Sequence, residues 1–174
     1  EKYSAAAFAT KHEDAIYFSK RVTRAVPDGG PIEAHTDLVK KLDYECELAV
    51  VLGRDARDVP AGQTRDYIFG YTILNDVSAR DVQTAHKQWY FGKSLDGFTP
   101  IGPCIVTADA FADYPPRLGI RSFVNGEKRQ DSNTALQIFD IDHVIAELSQ
   151  GMTLKAGTII ATGTPAGVGM GMDP

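Results

Sequence analysis

Three acidic side chains in two short stretches carry most of the chemistry this chain could do. Leu42-Asp43-Tyr44-Glu45-Cys46-Glu47-Leu48-Ala49-Val50-Val51-Leu52-Gly53 is an aliphatic run that closes on a glycine, and it reads as a strand. Alternate side chains of a strand share a face, so Glu45 and Glu47 point the same way, roughly 7 Å apart, with Cys46 on the opposite face. Like charges at that distance oppose each other's ionisation, and a hard divalent cation between them is the simplest remedy. A third carboxylate completes such a site. Asp76 supplies it just beyond a second apolar run, residues 67–74, where a side chain can reach over the sheet edge. Carboxylates without a histidine or thiolate on the same face suit magnesium or manganese, with calcium as a third choice, and do not suit zinc. Three protein ligands leave about three of six octahedral positions for water or substrate.

Cationic and amide groups follow the third carboxylate. Arg80 stands four residues after Asp76 and Gln83 seven after it, the spacing that places all three on one face of a short helical segment. The alternative is structural: Asp76 caps a helix and Arg80 pairs with it across one turn. Lys93 sits in Trp89-Tyr90-Phe91-Gly92-Lys93, where an apolar wall would desolvate the ammonium and strengthen its pull on an anion; the alternative is an exposed loop lysine whose neighbouring aromatics only complete the core. A 2-oxo acid could chelate such a metal through its carboxylate and ketone oxygens, and the metal would polarise the ketone. Arg80 and Lys93 would neutralise the substrate carboxylate or a developing oxyanion, and Gln83 would orient the substrate or a water. A non-catalytic, metal-stabilised structural or interaction protein is the reading from another class. Cations beside the ligands argue against it, since a structural metal needs none.

Glu45-Cys46-Glu47, then Asn75-Asp76-Val77-Ser78-Ala79-Arg80-Asp81, then Gly92-Lys93-Ser94-Leu95-Asp96, then Gly163-Thr164-Pro165 together resemble the fumarylacetoacetate hydrolase family. Each motif is short, and their order along the chain is what makes them specific. The resemblance implies a mixed, β-dominated fold, a sandwich or roll with a few short helices. It implies metal ligation by Glu45, Glu47 and Asp76, catalytic roles for Lys93, Arg80 and Gln83, and substrate contacts from Arg80, Lys93 and Thr164, whose hydroxyl would bind a substrate carboxylate. Lys20 occupies a place where similar enzymes often carry a lysine near the substrate; a surface lysine is the alternative. The implied reaction is hydrolysis of a carbon–carbon bond in a small anionic 2-oxo acid of the acylpyruvate or fumarylpyruvate type. Decarboxylation of oxaloacetate and isomerisation of a 2-hydroxyhepta-2,4-diene-1,7-dioate are alternatives on the same groups. A homodimer is the assembly the resemblance implies.

Composition agrees with one globular unit. The chain has 174 residues, 43% hydrophobic and 24% charged, enough for a core. A net charge of -5 argues against nucleic acid or an anionic membrane as the main partner, since both need a basic surface. Cys46 and Cys104 make no disulfide framework, and a reducing, cytoplasmic setting is the default. No apolar run approaches the roughly 20 residues of a membrane span. Residues 1–174 are read as one catalytic domain without the N-terminal lid region and the C-terminal closing strand of similar proteins. Glu1 would then be either the last member of a lid's histidine–glutamate pair or a solvated terminus.

The remaining elements position these groups. Residues 15–20 are apolar enough for a strand, and Pro27-Asp28-Gly29-Gly30-Pro31 is turn chemistry. His35 is expected in a solvated loop, and residues 86–89 add polar groups with no assignable role. Residues 101–106 read as a strand, and residues 120–124 open a hairpin whose Asn125-Gly126 turn is the strongest short-range signal for one. Asp140 starts a helix with apolar residues at Ile141, Val144, Ile145 and Leu148, closed by Gly151, with His143 on its polar face. Residues 157–162 form a last strand, followed by a glycine-rich turn that lacks the signature of a phosphate loop.

Overall fold

The computed structural model describes residues 14–172, so the lid reading of Glu1 lies outside the described residues. Among the described residues, eight strands and three short α-helices make a mixed, β-dominated fold. At its centre is a four-stranded antiparallel sheet in the order β5-β3-β2-β8, formed by β5 (Ile101–Thr107), β3 (Ile68–Asn75), β2 (Cys46–Leu52) and β8 (Ile159–Ala161). All seven residues of β2 are buried, which is why its sequence is aliphatic rather than alternating. Two small ladders flank the sheet. One pairs β1 (Leu42–Asp43) with β4 (Ser78–Ala79), and the other is the hairpin of β6 (Gly119–Val124) and β7 (Glu127–Asn133). Asn125 and Gly126 turn that hairpin at φ 52° and 81°, the doubly left-handed geometry that the Asn-Gly pair favours.

Helix α3 (Ile141–Leu148) covers one face of the sheet. Asp140 caps it by accepting a hydrogen bond from the His143 amide at 2.8 Å. Ile141 and Ile145 pack against Leu48, Val50, Leu52, Tyr71 and Ile160, and burial of each isoleucine stabilises the fold by about 1.5–3 kcal/mol. A second cluster, Val39, Val77, Ala79, Val82 and Phe98, anchors α1 (Arg80–Ala85). The short α2 (Tyr90–Lys93) lies against α1 so closely that a Cβ at Gly92 would come within 2.6 Å of the Gln83 amide nitrogen. Glycine at position 92 is therefore a packing requirement, and it sets Lys93 beside Gln83's helix.

Three expectations need correction. The run 42–53 is not one strand: β1 and β2 are separated by Tyr44 and Glu45, and the Glu45 carbonyl accepts from the Asp76 amide at 2.9 Å. The alternation of side chains nevertheless holds across the break. Residues 15–20 join no ladder; the segment is instead held by side chains, with Phe18 edge-on to Trp89 at 5.2 Å and Tyr17 donating to the Glu147 carboxylate. His35 is not simply solvated, since its ring bonds the Asp96 carbonyl at 2.8 Å and packs edge-on against Phe98.

Candidate metal centre and anion site

The carboxylates of Glu45, Glu47 and Asp76 are all buried, and one oxygen from each lies within 4.8 Å of the other two. Glu47 projects from β2 opposite Leu74 of β3, on the face away from the α3 cluster. Asp76 follows the last residue of β3, and Glu45 precedes the first residue of β2. Antiparallel pairing of Cys46 with Asn75 brings these two ends together, and the Asn75 side chain fixes Glu45 by accepting its amide at 2.9 Å. A cluster specified by two separate stretches is thus assembled by one ladder register.

Cations surround it. Lys93 Nζ lies 2.9 Å from Glu45 Oε2 and 2.8 Å from Asp76 Oδ2. Lys20 Nζ reaches the other Asp76 oxygen at 2.6 Å, so the structure places this lysine in the site and not on the surface. Arg80 binds Glu45 Oε1 at 2.6 Å through Nη1 and Asp43 Oδ2 at 2.8 Å through Nε, and Nη1 also donates to Gln83 Oε1 at 3.1 Å. Neither Asp76 capping of a helix nor an Asp76–Arg80 pair is formed: Ala79 is the N-cap of α1, and Arg80 turns toward Asp43 and Glu45. Burial works against the Arg80 charge, but Glu45 and Asp43 outweigh it and raise its pKa. Burial dominates at Lys20 and lowers its pKa despite the pull of Asp76.

Among the described residues, four buried carboxylates, Asp43, Glu45, Glu47 and Asp76, thus face three cations, Lys20, Arg80 and Lys93. The shortfall appears at Glu47. Desolvation, then Asp76, then Glu45 push its carboxyl from 4.5 up to about 8, and neither the Gly163 amide it accepts at 2.7 Å nor Lys93 offsets them. Hard oxygen donors, converging and one charge short, fit a divalent cation of the magnesium or manganese kind. With all four carboxylates ionised these groups sum to -1; a dication, which would displace the Glu47 proton, would bring the sum to +1 and leave the site suited to an anion. The Arg80 Nη2 atom points to the same conclusion: it is buried and has no hydrogen-bond partner among the described residues.

Two positions in the site were not singled out from sequence. Asp43 holds Arg80, and its oxygens also accept the amides of Gly169 at 2.7 Å and Met170 at 2.9 Å, which fastens the glycine-rich turn over the site. Its signal was available, because residues 43, 45 and 47 share one alternation. Gln130 of β7 had no such signal; it is fully buried and bonds Cys46 and Thr164 across 84 and 34 residues. Thr164 lies beside Glu47 through Gly163, and its hydroxyl donates to the Cys46 carbonyl at 3.2 Å. His86 and His143 do not join the cluster; His86 packs on Phe91, and His143 stacks on Phe139 and pairs with Glu147.

This geometry accompanies a match over residues 2–174 to the C-terminal domain of fumarylacetoacetate (FAA) hydrolase. The chain belongs to the fumarylacetoacetate hydrolase family. Oxaloacetate tautomerase YisK of Bacillus subtilis is 44% identical over 162 residues, 93% of this chain and 54% of that protein. A fumarylacetoacetate hydrolase from psychrophilic Exiguobacterium antarcticum superposes with a TM-score of 0.78 at 53% identity, over 82% of this chain and 50% of that one. Fumarylpyruvate hydrolase from Pseudomonas aeruginosa, solved with Mn2+ and pyruvate, gives 0.75 at 31% identity, over 84% of this chain and 64% of that one. The chain spans about half the length of the curated relatives it matches. Among the described residues, no helix is long and apolar enough to cross a membrane.

Proposed function

We propose that this family member is a divalent-metal-dependent enzyme that acts on a small anionic 2-oxo acid by stabilising its enolate. The observation that carries the reading is the buried Glu45–Glu47–Asp76 cluster, ringed by Lys20, Arg80 and Lys93, with an Arg80 donor that has no partner among the described residues. A divalent ion held by the three carboxylates supplies Lewis acidity toward the substrate's ketone oxygen. Arg80, fixed by Asp43, offers its free Nη2 to a substrate carboxylate. Lys93 brings positive charge, already oriented by two carboxylates, to the oxygen on which negative charge develops. Its surroundings are partly apolar, with the Phe18 ring 5.3 Å from Nζ, and this strengthens the interaction. Gln83 holds the guanidinium in place, and Thr164 donates to a second substrate oxygen.

Hydrolysis of a carbon–carbon bond in an acylpyruvate- or fumarylpyruvate-type acid is the first reading of the overall reaction. The solved fumarylpyruvate hydrolase with manganese and pyruvate supports it, since pyruvate is the enolate-derived product such a cleavage would leave. The second reading is non-hydrolytic chemistry through the same enolate: tautomerisation of an oxaloacetate-type acid or isomerisation of a hydroxydienedioate by proton transfer, or decarboxylation of an oxaloacetate-type acid by loss of CO2 and protonation of the enolate left behind. Similarity to an oxaloacetate tautomerase over 93% of the chain favours it. A single catalytic domain, a cytoplasmic setting and a homodimer belong to the same proposal. The edge strand β5, with Ile105 and Val106 exposed, is consistent with a covered position in an assembly.

The test is turnover of acylpyruvates, fumarylpyruvate, oxaloacetate and a hydroxydienedioate by chelator-stripped protein, with and without added magnesium or manganese. Metal-restored loss of one substrate supports the reading, and its products name the reaction. Turnover that is equally fast without metal refutes it. Tight metal binding with no turnover of any substrate would favour the structural reading.

A further inference from the structure

Gln130 is the one buried residue of β7, a strand whose other side chains are exposed or half-buried. Its amide group makes four hydrogen bonds. Oε1 accepts from the Cys46 backbone N–H at 3.0 Å and from Ser122 Oγ at 2.9 Å. Nε2 donates to the Pro165 carbonyl at 2.8 Å and to Thr164 Oγ1 at 2.7 Å. Two donors and two acceptor sites are the whole capacity of a glutamine amide. Two of the partners also fix which way it faces, because a backbone N–H can only donate and a carbonyl can only accept. Exchanging Oε1 with Nε2 would break both bonds.

The polarity of Thr164 follows. Its oxygen faces Nε2 and must accept there, so one lone pair is occupied and the hydroxyl proton has to point elsewhere. The proton is aimed at the Cys46 carbonyl at 3.2 Å, longer than the roughly 2.7–2.8 Å usual for an O–H donor, so the bond is readily exchanged for a better acceptor. We infer that Gln130 is a positioning residue that fixes the Thr164 hydroxyl as a hydrogen-bond donor toward an anionic substrate oxygen. It does so from the backbone of Cys46, midway between Glu45 and Glu47, so donor and metal ligands share one frame. The inference rests on the proposed role of Thr164 toward the 2-oxo acid.

The experiment is a double-mutant cycle read by oxalate binding to the Mn2+-saturated full-length protein, measured by calorimetry. Oxalate is the probe because it presents adjacent carboxylate oxygens and does not turn over. Thr164→Val removes the hydroxyl; Gln130→Met removes the amide at similar volume. Gln130→Glu keeps acceptors for Cys46 and Ser122 but takes the Thr164 proton for itself. A donor to a charged group is worth enough that Gln130→Met should weaken oxalate about fivefold or more with Thr164 present, and Gln130→Glu about tenfold or more. In the Thr164→Val background most of either effect should vanish, leaving a coupling of at least about fivefold. Equal losses in both backgrounds would overturn the inference, because Gln130 would then act through the strand or the fold. If Gln130→Met does not fold, the Gln130→Glu cycle decides alone. A wild type that binds Mn2+ but no oxalate overturns the parent 2-oxo acid reading and this inference together, whereas intact wild-type binding without coupling overturns only the role of Gln130.

Discussion

Glu47→Gln should stabilise the metal-free protein, and by more at high pH than at low. In the unfolded chain this carboxyl ionises near 4.5, whereas in the folded metal-free site it holds its proton up to about 8. Between those values the native state binds one proton more than the unfolded state. Stability from this group is therefore fully present below pH 4.5 and is lost as pH rises toward 8. Each unit of pKa difference is worth about 1.4 kcal/mol, so from pH 5 to pH 8 the group removes roughly 3 kcal/mol. Glutamine has nothing to titrate, and its side-chain oxygen can still accept the Gly163 amide that Glu47 now holds at 2.7 Å. Urea unfolding of both proteins in chelator at pH 5, 6.5 and 8 reads the effect, because titrations outside the carboxylate cluster are common to the two and the cluster responds as a unit. Wild-type stability relative to the variant should fall by roughly 3 kcal/mol across the series. Manganese added at pH 8 should restore the wild type and leave Glu47→Gln unchanged. Parallel profiles, within about 1 kcal/mol, would refute the reasoning, since Lys93 would then be neutralising Glu47 without any metal.

Lys93→Ala should lower kcat/KM by about a hundredfold or more while Mn2+ affinity is kept or tightened, because it removes an oriented charge that competes for Glu45 and Asp76 and leaves all three carboxylates in place; steady-state kinetics beside Mn2+ titration would show it, and unchanged turnover would sink the role. Gly92→Ala puts a methyl group 2.6 Å from the Gln83 nitrogen and must push α2 off α1. The expected result is a large fall in turnover from displacement of Lys93, with circular dichroism still showing a folded chain; full activity would mean that this contact does not place Lys93. Asp140→Ala deletes the cap on α3, which packs on the sheet face opposite Glu47, and should reduce unfolding free energy by about 1 kcal/mol with kinetic constants unaltered, as denaturant titration and activity measured together would reveal.

What the sequence determined by itself is what depends on neighbours along the chain. Alternation put Glu45 and Glu47 on one face and would have put Asp43 there too. The Asn125-Gly126 pair set the hairpin turn, and Asp140 the start of α3. Family motifs in their order pointed to the three clustered carboxylates and to Arg80 and Lys93, two of the three cations beside them. Only the tertiary structure decided who pairs with whom across the site. Arg80 could have met Asp76 four residues away, but the ladder between β1 and β4 brings it to Asp43 instead. Lys20 belongs to a segment with no ladder at all, yet it closes on Asp76, 56 residues distant. Gln130 is one polar residue of a mostly polar strand, and nothing in its neighbours distinguishes it from those that face solvent. The reason is physical: local periodicity and turn chemistry are properties of a few consecutive residues, whereas the partner of a buried charge or amide depends on register, and register is fixed by the packing of the whole sheet.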